Sequence, residues 1–171
     1  MGAFDWLLGR LTLALAWVAC AIVVAMLVMI VTDVSMRYLA IRPPDWTSTY
    51  VEYLLLYVTM LPAPWLVRER GHVAIEALVA SLPRLLQVAL ANLVYVVCIL
   101  VAFLCSYLSW GLLVEAWETN ALDVRGVDIP TWLQFAPLTV CFALVGLEFL
   151  MFLLGRRRYY SYDLGEVKDG V

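Results

Sequence analysis

Two carboxylates, Glu52 and Glu148, interrupt stretches that are otherwise uncharged and apolar. An acid among apolar helices is costly enough to be a functional candidate by default. Such a group can take up a proton or a cation in a transport cycle, pair with a nearby base, or meet another subunit. With the orientation derived below, Glu52 lies roughly 8 Å beneath the outer end of its helix and Glu148 roughly 25 Å beneath the outer end of its own. The two therefore sit at different depths and cannot share one site. Glu52 has Arg37 or Arg42 within plausible reach, and Glu148 precedes the basic rim at Arg156 by two turns.

Other chemistry is poorly provided for. The single histidine, His72, stands four residues before Glu76, and a bis-histidine haem needs two such ligands. Cys20, Cys98, Cys105 and Cys141 all lie in apolar runs with no C-x-x-C pair or histidine spacing suited to zinc. No nucleophile is set beside a base, and no glycine-rich phosphate loop occurs. The expectation is a chain that is not an enzyme and carries no cofactor.

The elements that hold these residues follow from composition. Of 171 residues, 65% are hydrophobic and 15% charged, against roughly 45–50% apolar and about 25% charged in soluble domains. A net charge of -3 without interleaved basic and aromatic residues gives no reason to expect a nucleic-acid partner. Apolar runs at about 11–32, 47–67, 85–114 and 131–154 are each long enough to cross a hydrocarbon core of about 30 Å. The third exceeds that thickness and must tilt or emerge. The first runs past the length of a signal-peptide core, so it is expected to remain in the protein. Pro62, Pro64 and Pro137 should kink their helices.

Eight lysines and arginines lie on one side of these spans and three on the other, which predicts both termini in the cytoplasm. Trp6, Trp46, Trp65, Trp110, Trp117 and Trp132 fall near span ends, where amphipathic rings favour the headgroups. Between spans two and three, Ile75, Leu78, Val79 and Leu82 form one apolar helical stripe. About three turns cannot span, so residues 72–82 are expected to lie on the cytoplasmic surface, Arg70 and Arg84 near anionic headgroups. The predicted fold is an all-α membrane protein: four transmembrane helices and a short amphipathic surface helix in one domain, 1–158, with a polar tail at 159–171. Ala14, Ala16, Ala19, Ala21 and Ala25 in span one would admit another helix at close range.

Several of these features occur in a recognisable order. Arg37-Tyr38 follows span one, then Pro43-Pro44 and Trp46; Arg68-Glu69-Arg70-Gly71-His72-Val73 follows span two, with Glu76 four residues after the histidine and Leu82-Pro83 closing the segment. Asp128-Ile129-Pro130-Thr131-Trp132 opens span four, with Pro137 beyond. This pattern resembles the small integral membrane subunit of TRAP (tripartite ATP-independent periplasmic) transporters, the DctQ-like family. The chain differs in placing Thr47, Ser48 and Thr49 directly after Trp46, with the acid delayed to Glu52, and in having Pro62-Ala63-Pro64 within span two.

The resemblance implies a multi-pass protein of the bacterial inner membrane, with membrane lipids, a large membrane subunit and a periplasmic solute-binding protein as partners. It implies that the large subunit performs elevator-type, sodium-coupled uptake of a solute, commonly a carboxylate, and that substrate and sodium sites lie there. On this chain it singles out Arg37, Tyr38, Trp46, Glu52, Arg70, Gly71, His72, Glu76, Pro130 and Trp132 as structural or partner-interface residues. The competing expectation is a self-sufficient, proton-coupled transporter built on Glu52. A redox carrier is a third, and the purified protein is expected to show no visible absorbance band; a haem or flavin spectrum would overturn that expectation.

Overall fold

Apolar side chains around the full circumference suit a helix surrounded by lipid or other helices, because only a helix satisfies its backbone polar groups internally. In the computed structural model four helical segments among the described residues are long and apolar enough to cross a membrane. The structure describes residues 3–42, 44, 46–69, 84–124 and 127–154. Helix α1 is Ala3–Tyr38, α2 Trp46–Met60, α3 Ala63–Arg68, α4 Arg84–Glu118 and α5 Trp132–Leu153. The surface helix expected at 72–82 and the tail at 159–171 lie outside the described residues.

Helix α1 has 36 residues and α4 has 35, each more than about 50 Å long and well beyond a hydrocarbon core of about 30 Å. Both end on a residue in the left-handed conformation, Ala40 at φ 56° and Asn120 at φ 48°. In each case the following amide bonds back across the last turn, Ile41 N–H to the Met36 carbonyl at 2.9 Å and Ala121 N–H to the Ala116 carbonyl at 3.2 Å. This closure satisfies carbonyls that the end of a helix leaves open.

The second span is two helices, not one. Pro62 and Pro64 carry no amide hydrogen, and the chain turns at Leu61–Pro62 before α3 begins with proline in its first turn. Pro137 acts differently. It lies buried inside α5, where the ring denies the Leu133 carbonyl its partner four residues on. The Tyr57 hydroxyl of α2 donates to that carbonyl at 2.8 Å. A bond lost within one helix thus reappears between two.

The spans are arranged as a row. Helix α1 packs on α2 and α3, these on α5, and α5 most extensively on α4. Helix α5 is central, with Cys141, Leu144, Phe149, Met151 and Phe152 buried. Against α4 it places Gly146 under the Phe103 ring, where a Cβ would come within 3.1 Å of an aromatic carbon. Phe152 stacks on Tyr95 at a centroid distance of 6.2 Å, and Ser106 donates to the Thr139 carbonyl at 3.0 Å. Small residues and interhelical hydrogen bonds do the work that hydrophobic burial does in water.

An antiparallel hairpin joins α4 to α5, β1 (Leu122–Val124) against β2 (Asp128–Pro130), with Asp123 opposite Ile129. The all-helical expectation did not include it. Its strands have three residues each, too few for an alternating pattern to stand out from a polar loop. What holds it is tertiary: Ile129 is buried, and Thr131 N–H closes its base on the Ala121 carbonyl at 3.0 Å.

The Tyr57–Leu133 bond should be measurable by a double-mutant cycle. Tyr57→Phe is expected to cost about 0.5–1.5 kcal/mol in detergent unfolding, within the range for hydrogen bonds inside membranes. In a Pro137→Ala background, where Leu133 regains an amide partner, the same change should cost clearly less. Equal costs in both backgrounds would show that the proline and the tyrosine are not coupled.

Candidate functional site

Two polar clusters lie near opposite ends of the helices. At the end formed by the start of α1, the last residue of α3 turns inward. Arg68 donates from Nη1 to Glu148 Oε1 of α5 at 3.0 Å and from Nη2 to the Asp5 backbone carbonyl of α1 at 3.0 Å. The same Nη2 lies 3.5 Å from Asp5 Oδ1. Glu148 is only 1% exposed, and the side chains of Arg68 and Asp5 are 11% and 9% exposed. One guanidinium therefore joins three of the four spans.

Such close approach needs a gap in the wall of α1. Gly9 supplies it, since a Cβ there would overlap the Arg68 guanidinium. One turn on, Thr12 is fully buried, and its hydroxyl donates to the Gly9 carbonyl at 3.1 Å. A charge cluster sealed this way is favourable only when its hydrogen bonds are formed, because desolvating three charges is expensive.

At the opposite end Asp123 of β1 accepts from the Tyr53 hydroxyl of α2 and from Gln134 Nε2 of α5, both at 3.2 Å. Trp117 and Trp132 meet edge to face at 5.3 Å where α4 and α5 adjoin the hairpin. Pro130 ends β2 opposite Leu122.

The residues singled out by sequence are spread out by this geometry. Arg37 Nε donates to Asp33 Oδ2 at 2.8 Å, one turn back on α1, so its guanidinium is engaged with Asp33 and not with Glu52. Tyr38 is exposed at the end of α1, Trp46 opens α2 with its ring against Tyr50, and Glu52 is exposed on α2. Glu148 pairs with Arg68 of α3, where sequence had pointed to the rim at Arg156. Arg70, Gly71, His72 and Glu76 lie outside the described residues.

Asp5, Gly9, Asp123 and Gln134 were not foreseen as partners. Of these only Gly9 left a trace in the sequence, as a glycine in the first turns of a long apolar helix. Among the described residues no group of three or more His, Cys, Asp or Glu is placed to hold a metal ion.

Residues 26–158 match the family model for tripartite ATP-independent periplasmic transporters, DctQ component. The chain belongs to this family. It is the small membrane subunit of a TRAP transporter: a transport component, not an enzyme, and a multi-pass protein of the inner membrane. No curated protein matches it significantly. The matched segment holds Arg68 and Glu148 but begins after Asp5 and Gly9, so the α1 side of the cluster lies outside the part that defines membership.

For this DctQ component, removing one member of the cluster should be worse than removing the charged pair. Arg68→Met leaves Glu148 buried with its main cation gone and should cost about 3–5 kcal/mol. Combining it with Glu148→Met should recover more than half of that loss in detergent unfolding. A double variant as unstable as the single would mean that the ion pair is not what holds the helices.

Proposed function

We propose that this small subunit is a scaffold and membrane anchor for the large, elevator-type subunit of its transporter. The observation that carries the proposal is the long apolar surface of α1, on which Trp17, Val24, Leu27, Val28 and Val31 are all exposed along the span. The other described helices do not cover it. A row of helices braced by polar contacts near both helix ends, with such a face along its edge, suits a part that stays still while its partner's transport domain moves.

In this reading a periplasmic binding protein delivers the solute, a carboxylate, and the large subunit couples its uptake to sodium. Both sites belong to that subunit, in keeping with membership of a component family whose transporter is tripartite. The lysine and arginine distribution supports a reading with both termini, the Arg68 cluster and the segment 72–82 on the cytoplasmic side and the hairpin on the periplasmic side. Arg70, Gly71, His72 and Glu76 then lie at the cytoplasmic surface, where they are suited to lipid headgroups or to the large subunit.

Deleting the chain should abolish uptake in cells while leaving the binding protein's affinity for its solute unchanged. Sodium-driven uptake at full rate by the large subunit alone in proteoliposomes would sink the proposal. Activity from this chain alone, lost in Glu52→Gln, would favour the self-sufficient transporter instead.

A further inference from the structure

Where α1 ends and α2 begins, the two helices leave a cleft of about 230 Å³. Among the described residues its polar lining is one acid, one base and two hydroxyls, Asp33, Arg37, Thr47 and Ser48, over apolar walls that include Ile30 and Val51. We propose that this cleft binds the headgroup of a zwitterionic phospholipid with a primary amine, of the phosphatidylethanolamine type. The proposal does not rest on the scaffold reading.

Depth is the first argument. Asp33 is the first charged residue after the uncharged run of α1, and the Trp46–Tyr50 ring pair, at 5.6 Å, marks the same level on α2. Both place the cleft where hydrocarbon gives way to headgroups. Below Asp33 the same face of α1 continues as Ile30, Met26 and Val23, an apolar track along which an acyl chain can lie.

Charge is the second. The Asp33–Arg37 pair uses only Arg37 Nε and one carboxylate oxygen. The two terminal nitrogens of Arg37 make no hydrogen bond among the described residues, and its side chain is 66% exposed. Two parallel guanidinium N–H groups fit phosphate oxygens. The second Asp33 oxygen suits an ammonium, and the Ser48 hydroxyl, also without a partner among the described residues, adds a donor for phosphate. The formal charges of the described lining, Asp33 and Arg37, cancel, so it matches a headgroup whose own charges cancel. An anionic glycerol headgroup would set nothing positive against Asp33, and a trimethylated amine has no hydrogen to donate to it.

The test is native mass spectrometry of the full-length chain, with any co-purifying partner, delipidated and titrated with phosphatidylethanolamine, phosphatidylglycerol or phosphatidylcholine. One phosphatidylethanolamine should be retained at about tenfold lower concentration than either alternative, the scale of one charge-assisted contact. Asp33→Asn should erase the preference over phosphatidylcholine, and Arg37→Gln should weaken all three. Tyr107→Phe, remote on α4, should change nothing. An exposed pair one turn apart adds little to folding, so both charge variants should unfold with the wild type. Should either unfold early, Ser48→Leu fills the cleft and should exclude the lipid. Equal retention of phosphatidylglycerol, or wild-type retention in Asp33→Asn and Arg37→Gln, would overturn the proposal. So would displacement of the lipid by inorganic phosphate, which would mark a free-anion site, or failure of every lipid to bind, which would leave the cleft to a protein partner.

Discussion

A charge inside a membrane must find its counter-charge within the protein, and in this chain that requirement falls on Arg68. Its guanidinium reaches Glu148 on the central helix and Asp5 on the first. The surrounding structure can be read as what this contact demands. The proline-made turn at Leu61–Pro62 separates α3, which ends on Arg68, from α2. Gly9 opens the wall of α1. Helix α5 carries the acid and so cannot face lipid there, which agrees with its being the most enclosed of the spans.

The same economy governs uncharged groups. Thr32, Ser35 and Thr59 return their hydroxyls to carbonyls one turn back in their own helices. Such residues can face lipid without an open donor. Where a carbonyl is left open, as at Leu133, another helix supplies the donor. These polar atoms of the spans are thus either closed on their own helix or used to join two.

How much of this was legible in the sequence depends on distance along the chain. The four spans were, because each is a local run of apolar residues whose length is set by the bilayer. The break at Pro62 and Pro64 was foreshadowed by ring chemistry alone. The cluster was not, since Arg68 and Glu148 are 80 positions apart and an arginine at a span end reads as one more positive charge on a basic rim. Glu148 was recognised as expensive and in need of a partner, but spacing along one helix favoured the nearer arginines over one on a different helix. The hairpin was missed for a related reason: its strands are held by what they touch.

Two fastenings join α2 and α3 to α5, Arg68 with Glu148 at one end and Tyr57 with the Leu133 carbonyl at the other. They are 15 residues apart on α5, about 22 Å along its axis. A rod pinned once can swivel about the pin. Pinned twice at that separation it can neither roll nor slip by a turn without stripping both contacts. A sideways push received along α1, which packs on α2 and α3, would then reach α5 at two depths of the bilayer and not at one.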